Sequence, residues 1–313
     1  MNKKILLMNY QAVELCPACG STDKEILGQI DREYYIAENI VIPYQESIGV
    51  ILVYRCSSCG LFFKNFVPTK NSLLDFYKDC MSTHWISSYD YNDEIRTIKK
   101  LFPHGNLNVL DIGAGNGSWL SCLSLINCRL SALDVIMNPN CKQFITGEYI
   151  IEFLDKKDLA WSGQAYDLVT VFDVVEHLYD VKQGFSNIFK LTRIGGYCII
   201  ETGDANNYYS KLYGVPKWWY LNILEHNIAF NLQSLIKAGE SAGFEVVETK
   251  IKRHKNKTEL SLAKLIRMSL LSSLYRIYPS RYKWSMGLIK KAGIQPVPPF
   301  SKDHLMVIFR RVC

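Results

Sequence analysis

With 313 residues, 48% of them hydrophobic and 21% charged, the chain can bury a sizeable core, and wholesale disorder is excluded. Its net charge of +6 is uneven: twelve Lys/Arg and one acid, Glu259, lie between Lys250 and Lys291, so the remainder is mildly acidic. No run approaches the ~20 apolar residues of a membrane span, and the Ile5-to-Met8 run is too short for a signal-peptide core, so a soluble cytoplasmic protein is expected.

Ten cysteines in a reducing compartment call for a metal, a reactive role or burial rather than disulfides. Four of them form two C-x-x-C-G knuckles, Cys16/Cys19 before Gly20 and Cys56/Cys59 before Gly60. Four thiolates satisfy a tetrahedral zinc ion and leave no open position, so a structural zinc ribbon is expected over residues 10–68. Cys80, Cys122, Cys128, Cys141, Cys198 and Cys313 show no ligand spacing and are expected as buried thiols. Residues 10–66 hold four basic and seven acidic side chains, which argues against a nucleic-acid surface.

Residues 69–104 read as a helical linker, with apolar positions at Leu73, Leu74, Phe76 and Tyr77, then Ile95, Ile98 and Leu101. From Leu107 strands and helices alternate. Strands are expected at Asn108–Asp111, Arg129–Asp134, Asp167–Phe172 and Tyr197–Glu201, and helices at Ser118–Leu125, Asp173–Tyr179 and Phe185–Leu191. That alternation predicts an α/β domain with a parallel sheet covered on both faces.

The first strand runs into Asp111-Ile-Gly113-Ala114-Gly115-Asn-Gly117-Ser118. Glycines permit close backbone approach to a ligand at a strand end, but Ser118 stands where the dinucleotide fingerprint needs its third glycine. A carboxylate at the mouth suits a ligand bearing an amino group and repels a pyrophosphate. A second acid, Asp134, closes the next strand 23 residues later, where an acid accepts hydrogen bonds from ribose hydroxyls.

These residues resemble the first motif of class I S-adenosylmethionine-dependent methyltransferases. The resemblance implies a Rossmann-like, doubly wound seven-stranded sheet over residues 105–250. It implies that Asp111, Gly113, Ala114, Gly115 and Gly117 hold the methionine part of the cofactor and Asp134 its ribose. Phe153 and Phe172 are further cofactor-binding candidates; Phe153 flanks the adenine or is ordinary core.

Asp173, Glu176 and His177 stand at i, i+3 and i+4, one face of the helix expected there, and Glu225-His226 follows downstream. The pattern is similar to the cation-binding set of ubiquinone-pathway and small-RNA methyltransferases. It implies either a divalent cation such as Mg2+ held by Asp173, Glu176, His177 and His226, or residues that merely order the helix. His226 is also a candidate general base, oriented by Glu225.

The stretch Tyr208–Tyr220 carries six aromatic side chains, as a sugar-like substrate or a lid packed on the core would require. Asn231–Ala242 reads as a helix ended by Gly243, followed by a strand at Phe244–Glu248. The order of ribbon, glycine-loop domain, aromatic stretch and Glu225-His226 resembles the zinc-ribbon methyltransferases of bacterial surface-glycan and deoxysugar clusters. It implies O-methylation of a sugar, nucleotide sugar or nascent glycan. A quinone- or lipid-type O-methyltransferase and a non-enzymatic docking ribbon are the alternatives. Residues 251–295 are expected as a basic helical cap, with 260–291 a candidate for contact with the inner face of an anionic membrane, and 296–313 as the strand completing the sheet.

Overall fold

The computed structural model describes residues 4–30, 34–37, 40–43, 49–80, 90–253 and 302–313, together with positions 266 and 270. The basic cap and its membrane-contact candidate, 260–291, therefore lie almost wholly outside the described residues. Among the described residues no helix is long and apolar enough to cross a membrane.

A seven-stranded sheet organises the larger part of the chain. Its strands are β1 (Leu107–Ile112), β2 (Cys128–Asp134), β3 (Tyr149–Ile151), β4 (Tyr166–Phe172), β5 (Thr192–Gly203), β6 (Phe244–Lys252) and β7 (His304–Arg311). Their spatial order is 3-2-1-4-5-7-6. β7 runs antiparallel to both β5 and β6, whereas the other pairs are parallel. β1, β4 and β7 are buried along nearly their whole length because both faces of the sheet are covered. β6, at the edge, alternates exposed and half-buried positions after a buried Phe244.

The expected helix over Asp173–Tyr179 is instead a single 3-10 turn, Val175–His177. Asp173 adopts a left-handed backbone (φ 55) and breaks the helix at its start. Asp173, Glu176 and His177 thus do not share a helix face. The helix Val181–Leu191 follows, capped by the Asp180 side chain accepting from the Gln183 N–H. The helix Leu232–Ala242 has a reciprocal cap between Asn231 and Ser234 and ends at Gly243 with φ 107, as its sequence predicts.

The N-terminal module is tied to this domain by backbone pairing. Its strands Lys24–Gln29, Leu52–Cys56 and Phe62–Lys64 form an antiparallel sheet, which Ile228–Ala229 extends at the Phe62–Lys64 edge. Cys16, Cys56, Leu61 and Phe63 belong to the same buried cluster as Leu110, Val169, Phe230 and Leu235. Trp218 and Tyr220 lie in a second cluster with Val53, Phe62, Leu73 and Phe76, so these two aromatics are core between module and domain. The Cys80 side chain lies outside what is described; of the others, Cys141 and Cys198 are buried, Cys122 and Cys128 are half-buried and Cys313 is exposed, which corrects the expectation of burial for those three.

Candidate functional site

A cavity of about 240 Å3 opens at the C-terminal edge of β1, β2 and β4. Asp111, at the end of β1, is buried and accepts a hydrogen bond from Thr170 Oγ1 at 2.8 Å; Thr170 in turn accepts from Trp119 Nε1 at 3.0 Å. Thr170 sits opposite Asp111 in the β1–β4 register, so the strand pairing itself aims this carboxylate. Asp134 accepts from the backbone N–H of Gly115 (2.8 Å) and of Val135 (2.7 Å), tying the glycine loop to the end of β2. Burial pushes the Asp134 carboxyl up, and the N–H groups of Gly115, Val135 and Ile136 pull it back down.

Two glycines are demanded by the protein rather than by a ligand. Gly113 has φ 77, and a Cβ there would lie 2.2 Å from Val174 Cγ2. Gly117 has φ 81, and its Cβ would lie 2.8 Å from the Cys141 backbone. Gly113, Ala114 and Gly115 line the cavity together with Asp111, Asp134 and Phe172; Gly117 does not. Phe153 is not among the lining residues either. Its ring faces Lys70 Nζ at 4.9 Å, while its neighbours Glu152 and Leu154 reach the cavity. Tyr77 and Tyr91, from the region expected to be a mere linker, also line it, and the Tyr91 ring stacks 6.4 Å from that of Phe172.

A family described as "methyltransferase domain" matches residues 86–249, just over half of the chain. The chain belongs to that methyltransferase-domain family. Phosphoethanolamine N-methyltransferase 2 of Caenorhabditis elegans is 22% identical over 255 residues, covering 72% of this chain. The chain spans 53% of that relative's length. Among solved structures, the N-methyltransferase NodS of Bradyrhizobium japonicum WM9, in complex with S-adenosyl-L-homocysteine, covers 76% of this chain and 97% of its own at 14% identity, TM-score 0.46. A TehB-like S-adenosylmethionine-dependent methyltransferase of Corynebacterium glutamicum covers 77% and 100% at 15% identity, TM-score 0.44.

The far wall of the methyltransferase domain's cavity carries Asp173 and His177. His177 Nδ1 lies 3.5 Å from the Tyr77 hydroxyl, and its ring stands edge-on to His226, centroids 4.8 Å apart. His226, the expected base, is buried behind His177 and is not among the cavity-lining residues. Burial pushes His177 down to about 4 and His226 well below its ordinary value, so both rings are neutral near pH 7. Glu225 is buried as well; burial pushes its carboxyl up to about 7, against its own backbone N–H and the Lys64 charge.

The four-residue cation set is only partly assembled. Donor atoms of Glu176, His177 and His226 fall within 4.8 Å of one another, but Asp173 is not part of that group. Its carboxylate lies instead 3.1 Å from the Tyr220 hydroxyl and faces His304 Nε2 at 3.4 Å. Both Glu176 oxygens are engaged, one by the Tyr220 hydroxyl and the other by Thr202 Oγ1 at 2.8 Å. Burial and the nearby Asp173 push Glu176 up to about 7.

The cysteine cluster is assembled as the spacing predicts. Cys16 Sγ lies 3.5 Å from Cys59 Sγ, Cys19 Sγ lies 3.5 Å from Cys56 Sγ, and all four sulfurs fall within 4.8 Å of one another. Tetrahedral zinc with Zn–S of about 2.3 Å needs sulfurs roughly 3.8 Å apart, so the donor set fits. Each knuckle closes through its glycine, Gly20 N–H to Cys16 O at 2.8 Å and Gly60 N–H to Cys56 O at 2.9 Å. The knuckle then docks on the methyltransferase domain: Asn231 Nδ2 donates to Gly60 O (3.3 Å) and Lys237 Nζ to Ser58 O (3.0 Å).

Sequence reasoning missed Thr170, Trp119, Tyr77, Tyr91 and His304, and gave Tyr220 a substrate-facing place that it does not have. A threonine inside the otherwise apolar run Leu168–Phe172 and a tryptophan two residues past Gly117 are the local signals; the others are brought in by distant segments.

Proposed function

We propose that the protein is an S-adenosylmethionine-dependent methyltransferase acting on a small-molecule acceptor. The observation that carries this reading is the pairing of Asp111, aimed by Thr170, with Asp134, fixed by Gly115, across one cavity that ends at Asp173 and His177. Asp111 and the loop would seat the amino-acid part of the donor, Asp134 its ribose hydroxyls, and Tyr91 and Phe172 would exclude water beside the sulfur. When bound, the donor supplies an electrophilic methyl group. His177, neutral and on the cavity wall, is better placed than His226 to take a proton from the acceptor. We assign Cys16, Cys19, Cys56 and Cys59 a structural zinc ion.

For the acceptor, the order of ribbon, domain and Glu225-His226 supports a neutral sugar or nascent-glycan hydroxyl, although Trp218 and Tyr220, being core, lend that substrate no aromatic platform. A second reading, methylation of an amine, is favoured by the cavity lining: Asp111, Asp134, Glu152 and Asp173 contribute carboxylates, and among the described residues no lysine or arginine does. The relative that acts on phosphoethanolamine points the same way. Calorimetry with S-adenosyl-L-homocysteine tests the donor site; no heat on folded protein would sink the reading. Labelled donor offered with sugars, nucleotide sugars, lipid-linked glycans and ethanolamine phosphate, followed by mass, separates the acceptors.

A further inference from the structure

His304 opens β7, which runs antiparallel to both of its neighbours in the seven-stranded sheet, and its side chain is fully buried. Its ring lies between two carboxylates: Nδ1 is 3.1 Å from Asp303 Oδ1, and Nε2 is 3.4 Å from Asp173 Oδ1. A neutral imidazole has one N–H and one lone pair, so one nitrogen would turn its lone pair on a carboxylate. Two protons on the ring remove that conflict and make it a cation between two anions.

Asp173, like Glu152, lines the cavity from one residue beyond the end of a strand. It follows β4 in a left-handed backbone (φ 55), a conformation that costs a non-glycine residue energy and needs support from its surroundings. The Tyr220 hydroxyl, whose single proton lies between Glu176 and this carboxylate, is 3.1 Å from the same oxygen, and its ring stands edge-on to His304, centroids 5.2 Å apart. The Asp303 N–H and C=O are themselves fixed, the one donating to Lys252 O at 3.1 Å and the other accepting from Asp204 N–H at 2.8 Å. The last strand of the chain thus carries an imidazole to the rim of the site from 131 positions away.

We propose that His304 is a positioning residue: its imidazolium, bridging Asp303 and Asp173, fixes the Asp173 carboxylate, charged and in one orientation, on the cavity wall where the methyl acceptor must approach. The assignment of that wall to the acceptor rests on the methyltransferase reading above; the bridge itself does not. The charged or titratable groups facing His304 are Asp173 from the turn after β4, Asp303 beside it, Asp204 from the segment after β5, Tyr220, and Lys252, opposite it in the β6–β7 register with its Nζ engaged by Glu94 and Glu201. Burial opposes the charge on the ring, and Asp173 and Asp303 overcome it, holding His304 up to about 9.

Carbon-detected NMR titration of the full-length chain, following the His304 ring and the Asp173 carboxyl, tests the bridge. His304 is expected to stay protonated through pH 8 in the parent protein and to lose its proton at lower pH in Asp173→Asn and in Asp303→Asn. In His304→Gln the Asp173 midpoint is expected to rise, because its cationic neighbour is gone. A packing role for His304 would not move that midpoint. Should His304→Gln misfold, the two aspartate variants carry the test. A ring already neutral at pH 7 in the parent protein, or one indifferent to Asp173→Asn, overturns the proposal. Calorimetry with S-adenosyl-L-homocysteine on the same samples keeps failure of the donor site distinct, since the titrations report on the bridge whether or not that ligand binds.

Discussion

Lys64 Nζ donates to the carbonyl of Ile223 at 2.9 Å, joining the N-terminal module to the segment just before Glu225-His226. The lysine is fully buried, and its own N–H donates to Asn227 O at 3.1 Å. The module therefore forms part of the wall on which His177 and His226 rest.

This coupling makes metal removal visible far from the cysteines. One zinc per chain is expected by elemental analysis. Chelation under denaturing stress, or Cys59→Ser, should lower the melting temperature by several degrees and expose Trp218, which is wholly buried between module and domain. The tryptophan emission red shift should be absent in the Trp218→Phe background. A metal-free protein whose melting is indifferent to Cys59→Ser would remove the zinc assignment.

For the donor pocket, Asp134→Ala removes a carboxylate that both orients the loop and meets the ribose. Affinity for S-adenosyl-L-homocysteine should fall roughly 10- to 100-fold, the scale of one or two charge-assisted hydrogen bonds at about 1.5–3 kcal/mol. Thr170→Val should weaken binding less, because Asp111 stays in place but loses a donor at 2.8 Å. Equal affinities by calorimetry would show that this cavity is not the donor site.

Gly113→Ala should destabilise the fold by about 1–3 kcal/mol, since the new Cβ meets Val174 Cγ2 at 2.2 Å on a left-handed backbone. Denaturant unfolding measures it. The double variant with Val174→Ala should recover the steric part and leave the backbone part.

His177 and His226 separate by kinetics. His177→Gln should lower kcat by about two orders of magnitude with little change in donor affinity, whereas His226→Gln, one layer behind, should cost less than tenfold. The reverse order would return the base role to His226.

Glu225 imposes a pH dependence on stability. Its folded value, about 7, lies above its ordinary 4.5, so the stability it permits is whole below about pH 4.5 and is lost as the pH climbs through 7. Relative to Glu225→Gln, the parent protein should lose about 2–3 kcal/mol between pH 4.5 and 8, measured by urea unfolding at each pH. His177 acts in the opposite sense: its folded value, about 4, lies below the ordinary 6.5, so its contribution is present above 6.5 and fades as the pH falls toward 4. The comparison must therefore be made against the Glu225 variant and not from the parent curve alone.

Several features follow from local sequence. The two knuckles, the glycine loop with Asp111, Asp134 at the next strand end and the capped helix at Leu232–Ala242 each depend on backbone conformations and spacings set within a few residues. The apolar strands of a doubly covered parallel sheet announce themselves as continuous runs, and they fall where the sequence places them.

What tertiary structure decided is which side chains meet. Asp173, Glu176 and His177 look like one helical face until Asp173 turns left-handed and sends its carboxylate to His304, while Glu176 turns inward to Tyr220 and Thr202. Tyr77 and Tyr91 reach the cavity because their segment packs across it, and Trp218 and Tyr220 become core because the module closes over them. Local propensity cannot encode such meetings. They depend on strand order, and above all on the antiparallel insertion of β7, which sets the two ends of a long chain segment side by side.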